Sequence, residues 1–401
     1  MTNWKPWLAA GADSSGGRKY SAPVVALLLT AGLRMLYTAF AALLSPYLSA
    51  LPVLIRSNSY TEHLMNPAEG ADYSLLGVWE RFDTLNYLHI AQFGYDKSSL
   101  VVFFPLYPLM IRFLTPAMKS PLLASLVIAT VSAFFVFWGL FELIRLDFSD
   151  EIAFRALVFY ALWPASFIWF CGYAEPVVMA MMIWSIYFAR TGKWWLSALL
   201  GFMAPLAKAV GILLLAPLGI LALRERGWKR MWAIAPLVGG AAYPLWLAFS
   251  GRLLPWDSYG VYWGTQTTWP WITVFHCAQT ALRFLYLGDA RNTVDVMLKV
   301  GSALFYLSEL AWVLIVFVLA LSKKIRLEYL LFTLAAIYLF LMKDSTVVQQ
   351  QWTRYVLILF PAAIAFALRE KDRVIFAGFT PLGFAFNLLL LWFFLQWMLV
   401  V

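Results

Sequence analysis

Residues 121–144 read PLLASLVIATVSAFFVFWGLFELI, an apolar run that contains one charged side chain, Glu142. A helix of about 20 such residues spans the hydrocarbon core of a bilayer. The whole chain has the same character, because 63% of its 401 residues are hydrophobic and 13% are charged, against roughly 25% charged residues in soluble domains. The sequence therefore predicts an all-α polytopic membrane protein, since helices satisfy their own backbone hydrogen bonds in lipid.

Further apolar runs lie on both sides of this one. Spans are expected near residues 22–53, 153–170, 175–190, 231–250, 296–321, 327–342, 353–368 and 374–400. Between residues 194 and 223, Pro205, Lys208 and Gly211 predict a broken helix pair, whose two short arms meet near Lys208 and return the chain to its starting side. The prediction is about eleven membrane passes in a single domain, residues 1–401.

The basic residues indicate which loops share a side of the membrane. More than half of the 30 lysines and arginines fall in the N-terminal tail, residues 1–21, or in the loops at 145–155, 190–193, 224–230, 323–326 and 369–373. This is the pattern of cytoplasmic loops. The two longest other loops, 54–120 and 251–295, then face outward, and function is expected there. Within the first, Pro105, Pro108 and Arg112 make 100–117 a poor span, so interfacial helices are expected.

Several kinds of site are disfavoured by the sequence. The net charge of +9 is spread over short clusters between apolar runs and does not form one stripe, so nucleic acid is not expected as a partner. Cys171 and Cys277 build no disulfide framework, and no histidine or cysteine cluster has metal-ligand spacing. The chain contains no P-loop, HExxH, GxGxxG or Asp-x-Asp motif. No metal and no cofactor is therefore expected.

The densest polar cluster, ERFDTLNYLHI at residues 80–90, lies in the first outward loop. It predicts a short helix with Asp83 as its N-cap and Gly94 just past its end. Asn86 and Tyr87 then share a face with Asp83, at the i+3 and i+4 positions. An Asp at a helix start often serves only as a cap, so the residues alone leave a structural and a functional interpretation open.

These residues resemble the first lumenal loop of the GPI mannosyltransferase II (PIG-V-like) family. The matching run is WERFDTLNYLHIAQFGYD at 79–96, followed by VVFFPLYPLMIR at 101–112. WPASFIWFCGYAEPV at 163–177, LAKAVG at 206–211 and RYVLILFP at 354–361 are similar to later segments of the family. The chain departs from the family pattern at Phe82, Trp163 and Pro176.

The resemblance implies a GT-C type membrane glycosyltransferase. Such an enzyme moves a hexose, mannose in the typical case, from a polyprenyl-phosphate donor of the dolichyl-phosphate kind, with inversion and without a metal. The acceptor would be lipid-linked or a glycan. Membrane lipids are the other partners expected, and nothing in the sequence requires GPI-anchor biosynthesis itself.

This chemistry needs a base at the acceptor hydroxyl and cations at the phosphate leaving group. Asp83 is the candidate base. Lys208, Arg354 and Arg81 are the candidate phosphate ligands, because a cation in an apolar setting needs a partner. Plain alternatives stand beside each: snorkelling for Lys208, interfacial anchoring for Arg354, and pairing with Glu80 or Asp83 for Arg81.

Five further residues are candidates for substrate binding. They lie in the outward loop or at the outer start of a span: Asn86, Tyr87, Tyr95, Tyr107 and Glu175. Aromatic residues also collect at interfaces, and a Glu in the first turn of a helix favours the helix dipole. Arg34, inside the first span, is expected to face the bundle and to be paired.

Two competing functions remain open at this point. A lipid or solute transporter also uses broken helices and buried cations, although its broken segments usually occur in paired halves. A non-catalytic assembly subunit would tolerate the loss of Asp83. For an enzyme, the expected location is the plasma membrane in a prokaryote or the endoplasmic reticulum in a eukaryote, with the active site on the non-cytoplasmic face.

Overall fold

The computed structural model describes residues 19–48, 70–225, 227–288, 293–320, 325–345, 351–368 and 373–398. The tail predicted at 1–21 lies outside these ranges up to residue 18, and the first outward loop lies outside them up to residue 69. The described chain is mainly helical. Its α-helices are α1 Ala22–Leu44, α2 Ala71–Leu75, α3 Asp83–Phe93, α4 Leu106–Met118, α5 Pro121–Arg145, α6 Asp150–Ala161, α7 Glu175–Arg190, α8 Trp194–Ala207, α9 Leu215–Arg224, α10 Ala235–Phe249, α11 Pro255–Trp263, α12 Pro270–Leu285, α13 Thr293–Ala320, α14 Leu327–Leu341, α15 Trp352–Val356, α16 Phe360–Ala367 and α17 Arg373–Leu395.

The apolar run at 121–144 forms α5, which packs against α1, α4, α6 and α7. Ser120 caps this helix by accepting a hydrogen bond from the Leu123 amide at 3.2 Å, and Pro121 occupies its first position. Both residue types favour a helix start, because the side-chain oxygen satisfies a free amide and proline has none to lose. Much of α5 is buried, so it forms the centre of the bundle.

Three predicted spans are shorter or broken in the structure, each close to a proline. The helix expected over 22–53 ends at Leu44, before Pro46. The helix expected over 153–170 ends at Ala161, and a 3₁₀ segment, Ser166–Phe170, follows Pro164. The span expected over 353–368 divides into α15 and α16 before Pro361. Proline lacks an amide donor and disfavours helical geometry in the preceding residue, so each break has a local cause.

The predicted helix break at Lys208 is present. Helix α8 ends at Ala207, Lys208 is extended with φ −160°, and a 3₁₀ segment leads into α9. The Trp194 indole at the start of α8 donates a hydrogen bond to Glu225, just past the end of α9, at 3.0 Å. The two arms therefore form a hairpin that returns the chain to its starting side. At Gly211 a Cβ atom would approach the Ala204 backbone carbon to 2.3 Å, so the tip of the hairpin needs glycine.

Within the described residues, three helices are long and apolar enough to cross a membrane, judged by length and composition. They are Ala22–Tyr47, Pro121–Arg145 and Trp228–Phe249, and shorter apolar helices include Trp194–Ala207, Ala209–Arg224 and Leu327–Leu341. The chain is an all-α membrane protein with a small antiparallel ladder between β1, Gln266–Thr267, and β2, Lys343–Asp344. The count of eleven passes stays a prediction.

Several of the loops predicted to be cytoplasmic meet at one end of the bundle. Asp147 accepts two hydrogen bonds from Arg190, at 2.6 and 2.7 Å, and a third from Arg326 at 2.8 Å. Glu328 pairs with Arg326 at 2.5 Å and with Arg224 at 3.4 Å. We refer to these five residues as the loop cluster. Because α7 runs from Glu175 to Arg190, Glu175 lies at the opposite end of the bundle, about 22 Å from Arg190 at 1.5 Å per residue.

Candidate active site

Asp83 lies in the first turn of α3 and does not cap it. The helix begins at Asp83, with Phe82 at the cap position, and the Asp83 carboxylate accepts a hydrogen bond from Arg354 Nη2 at 2.5 Å. The prediction that Asp83 is the N-cap is therefore wrong, because its side chain turns towards a guanidinium and away from the backbone amides. Gly94 follows the helix with φ 79°, as expected for a residue past a helix end.

The turn before Asp83 is strained and clamped. Phe82 has φ 46°, a conformation that costs a non-glycine residue about 1–3 kcal/mol. Its ring packs against Phe394 of α17 and against Trp397. Arg81 donates from Nε to the Leu395 carbonyl at 3.1 Å, and its guanidinium lies 4.2 Å from the Trp397 ring centroid. These contacts with Phe394, Leu395 and Trp397, which we call the C-terminal segment, fix the turn that orients Asp83.

Arg354 connects the two carboxylates of the site. It lies in the short helix α15, is 3% exposed, and donates from Nη2 to Asp83 and from Nε to Glu175. Its guanidinium also lies 4.5 Å from the ring centroid of Tyr173. A planar guanidinium can serve two acceptors and a ring face together, which the ammonium of a lysine cannot do.

Glu175 is the first residue of α7, and the chain just before it packs closely on α3. A Cβ atom at Gly172 would lie 2.6 Å from Thr84 Cγ2 and 2.8 Å from Ser125 Oγ. The Glu175 carboxylate accepts a hydrogen bond from Lys208 Nζ at 2.6 Å, in addition to the bond from Arg354. The tip of the α8–α9 hairpin is thereby joined to the start of α7.

Asp83, Glu175, Lys208 and Arg354 form a single network, which we call the site cluster. Its two carboxylates differ in exposure: the Asp83 side chain is 22% exposed and that of Glu175 is 2% exposed. The Lys208 side chain is 21% exposed. Asp83 and Lys208 are therefore the members that an incoming molecule can reach, while Glu175 and Arg354 lie behind them.

Polar atoms next to this network lack hydrogen-bond partners. Among the described residues, Glu175 Oε2 and the Tyr173 hydroxyl are buried and unbonded. Buried polar groups usually have partners, so such atoms mark a place where a bound molecule can supply one. No group of three His, Cys, Asp or Glu side chains lies close enough to hold a metal ion within the described part of the chain.

Three of the other predicted site residues lie on α3 after Asp83 or pack against that helix: Asn86, Tyr87 and Tyr107. Asn86 and Tyr87 lie on α3 one turn after Asp83; burial raises the pKa of Tyr87 well above its usual value, and the charges of Glu175 and Asp83 add to the rise. Tyr107 is buried against Tyr87 and donates to the Ser125 carbonyl at 3.1 Å.

Arg81 and Tyr95 are turned away from the site cluster. The Arg81 guanidinium is buried against the C-terminal segment and does not pair with Asp83. The Tyr95 hydroxyl donates to the Phe103 carbonyl at 2.7 Å, and its ring packs on Tyr243. Arg34 faces the bundle as expected, donating to the Phe170 carbonyl at 2.7 Å.

An apolar groove of about 390 Å³ is lined by residues of the same helices that carry Asp83 and lead to Lys208. Its walls come from α3, α4, α8 and α10, and include Ile90, Tyr95, Leu109, Leu206 and Trp246. Ile90 lies on the helix that carries Asp83, and Leu206 precedes Lys208 by two residues. Arg112 lies at the same groove and is exposed.

Two further buried or partly buried charged residues, Glu309 and Lys343, were not among the predicted site residues. Glu309, fully buried in α13, accepts hydrogen bonds from the Thr353 amide and hydroxyl, next to Arg354. Lys343, in β2, holds its ammonium 4.1 Å from the ring centroid of Tyr259. A carboxylate in the middle of an apolar span is itself a signal of function or pairing, and Glu309 carried that signal within the span predicted at 296–321.

The first half of the chain matches a known protein family. The sequence profile of the family described as Mannosyltransferase (PIG-V) matches residues 21–225, which include Asp83, Glu175 and Lys208. No curated protein matches the chain. Arg354 and Lys343 lie beyond the matched region. Because the profile covers half of the chain, the protein belongs to the PIG-V mannosyltransferase family and is a membrane glycosyltransferase.

Proposed function

We propose that this protein transfers a hexose, specifically mannose, from a polyprenyl-phosphate donor to a lipid-linked or glycan acceptor at the non-cytoplasmic face. The observation that carries the proposal is the partly exposed Asp83 carboxylate held against Arg354 at 2.5 Å. A base must reach the acceptor hydroxyl, and Asp83 is the accessible carboxylate of the site cluster. In this proposal the whole chain acts as one GT-C type domain with about eleven passes.

The reaction assigns a task to each member of the site cluster. Asp83 takes the proton of the acceptor hydroxyl as its oxygen forms a bond to C1 of the sugar. The bond between C1 and the phosphate oxygen breaks, and polyprenyl phosphate leaves with the electron pair. Lys208 donates a hydrogen bond to the phosphate, where negative charge develops. Arg354, predicted as a second phosphate ligand, is 3% exposed and in this proposal holds Asp83 and Glu175 in place behind Lys208.

Glu175 takes a different task from the one predicted. Its side chain is 2% exposed and bonds to both cations, so in this proposal it positions Lys208 and Arg354 and does not touch the acceptor. Arg81 takes no part in phosphate binding in this proposal, because its Nε donates to the Leu395 carbonyl and its Nη atoms donate to the Gly77 and Glu80 carbonyls and the Tyr73 hydroxyl. Asn86 and Tyr87 remain next to the base as candidate contacts of the substrate.

The apolar groove supports a lipid-linked donor. Its lining from α3, α4, α8 and α10 fits a hydrocarbon chain, and Leu206 in its wall precedes Lys208 by two residues. A polyprenyl chain in this groove would place its phosphate end near the hairpin tip. A transporter is disfavoured as the alternative, because the family to which the chain belongs is one of glycosyltransferases.

The site cluster and the loop cluster lie at opposite ends of α7, which supports opposite sides of the membrane for them. Basic loops favour the cytoplasm, so the site cluster is assigned to the other face. The protein would act in the plasma membrane of a prokaryote or in the endoplasmic reticulum of a eukaryote. A role in GPI-anchor assembly fits the family, and the acceptor itself is left general.

The test is transfer of radiolabelled mannose from polyprenyl-phosphate mannose in membranes that carry the wild-type protein, Asp83→Asn or Asp257→Asn. Asp257 is an exposed carboxylate of α11 and serves as the matched control. We expect transfer by wild type and control, and a loss of about 100-fold or more in Asp83→Asn. Equal transfer by all three proteins would remove Asp83 as base, and no transfer by wild type would remove the donor.

A further inference from the structure

The site cluster carries no net charge. Its two cations, Lys208 and Arg354, are balanced by the two carboxylates with which they pair, Asp83 and Glu175. A phosphate that entered this network would bring negative charge into a partly buried place without a free cation to receive it. Such an uncompensated charge is costly in a low dielectric, so a donor phosphate needs one more cation.

Lys343 is a cation of the kind that is needed. Within the described residues no carboxylate forms an ion pair with it, and its neighbour Asp344 is bonded to His276 at 2.5 Å. Its ammonium lies 4.1 Å from the ring centroid of Tyr259. The charges of Asp83 and Arg354 act on the buried Tyr259 phenol. The Lys343 charge acts on the Tyr355 phenol, and Tyr355 directly follows Arg354 in α15.

The position of Lys343 is fixed by the fold. It pairs with Thr267 in the ladder between β1 and β2, which joins the second long loop to the end of α14. On the far side, Tyr259 belongs to α11, which packs on the 3₁₀ segment Ser98–Val102 of the first loop. Two parts of the second predicted outward loop, β1 and α11, therefore lie against Lys343, and α11 in turn packs on the first loop.

We infer that the Lys343 ammonium binds the phosphate of the polyprenyl donor, supplying the positive charge that the ion-paired Lys208 and Arg354 do not. This inference rests on the proposed function for its ligand. Burial lowers the pKa of Lys343, as expected for an ammonium without a counterion, and a phosphate would be that counterion. The cation–π contact with Tyr259 orients the side chain until the phosphate arrives.

The experiment measures binding of farnesyl phosphate, and of uncharged farnesol, to the purified full-length protein in detergent. Lys343→Met keeps the stem of the side chain and removes its charge. We expect it to weaken farnesyl phosphate binding about tenfold or more and to leave farnesol binding unchanged. Lys343→Arg should bind like wild type, as should Lys97→Met, which changes an exposed lysine of the first loop.

Unchanged farnesyl phosphate binding in Lys343→Met would overturn the inference, as would wild type that binds farnesyl phosphate no more tightly than farnesol. Thermal unfolding checks that the variants are folded. If Lys343→Met is unfolded, Lys343→Gln replaces it in the binding experiment. Failure of the proposed function looks different: the wild type would bind farnesyl phosphate in a Lys343-dependent manner and yet transfer no sugar.

Discussion

The two ends of the bundle contain the same types of charged residue, arginines paired with carboxylates. They differ in how completely the polar atoms of those residues are hydrogen-bonded. In the loop cluster, Asp147 receives a two-pronged bond from Arg190 and a third bond from Arg326, all at helix ends. In the site cluster, Glu175 keeps one oxygen without a partner, and Asp83 follows a residue with positive φ. Complete pairing indicates a structural role, whereas strain and unpaired atoms indicate a place for a substrate.

The largest expected effect is a difference in sugar transfer between variants of two arginines, Arg354 in the site cluster and Arg190 in the loop cluster. Arg354→Lys should lower the rate of sugar transfer about 100-fold or more, because one ammonium cannot bridge Asp83 and Glu175 as the guanidinium does. Arg190→Lys, its counterpart at the other end, should keep the rate per folded molecule. It should instead lower the free energy of unfolding by about 1–2 kcal/mol. Transfer assays and thermal unfolding in detergent measure both quantities. Equal loss of transfer in both variants would contradict the functional difference between the two ends.

A smaller effect is expected from the close approach that aligns the two carboxylates. Gly172→Ala would place a methyl group 2.6 Å from Thr84 Cγ2, so α3 must move away from the start of α7. We expect about a tenfold loss of transfer and a cost of about 1–3 kcal/mol in the free energy of unfolding. Gly219→Ala in α9 is the control, because nothing lies within 4 Å of its Cβ. Normal transfer by Gly172→Ala would show that this approach does not align Asp83.

A milder effect on the site cluster is expected from substitutions of Glu309, which bonds to Thr353, the residue before Arg354. Glu309→Ala removes the acceptor of the Thr353 amide and hydroxyl, and should let Arg354 shift with α15. We expect a loss of transfer of several-fold to about tenfold. Glu309→Gln keeps an acceptor oxygen and should retain most of the rate. If both variants lose transfer equally, the charge of Glu309 matters and not its hydrogen bonds.

Local features of the sequence predicted much of the fold. The apolar run at 121–144 and the hairpin break at Lys208 follow from hydropathy, proline and glycine, which act within one or two helical turns. The broken helices near Pro164 and Pro361 were missed, because their apolar composition outweighed the local effect of one proline. The choice between a capping and a pairing role for Asp83 was not decidable from local sequence.

The residues of the candidate site were predicted from the sequence, but the ion pairs between them were not. Asp83, Glu175, Lys208 and Arg354 were each singled out, yet their pairing joins residues up to 271 positions apart, which no local pattern encodes. Arg81 looked equivalent to the others because it adjoins Asp83 so closely in sequence. Its side chain turns to the C-terminal segment, since the Leu395 carbonyl and the Trp397 ring lie on that side.

The smallest expected effect concerns pH and Lys343, a residue with no counterpart in the fully paired loop cluster. Burial lowers its pKa below the usual value of about 10.4, while the Tyr355 phenol acts in the opposite direction. A lysine is charged below its pKa, so the folded protein loses this charge at a lower pH than the unfolded chain. The free energy of unfolding therefore gains a contribution as pH rises through that window.

Donor affinity should follow the opposite course, because the charged form of Lys343 receives the phosphate. We expect the KM for the donor to rise several-fold between neutral pH and pH of about 10 in the wild type, and to stay flat in Lys343→Arg, whose side chain remains charged. Burial raises the pKa of the neighbouring Tyr259 to about 12, so this phenol stays protonated over the range. Lys97→Arg should keep the wild-type rise. Identical profiles for wild type and Lys343→Arg would assign the alkaline change to another group. The charge of the donor phosphate would then have to be balanced by a cation other than Lys343.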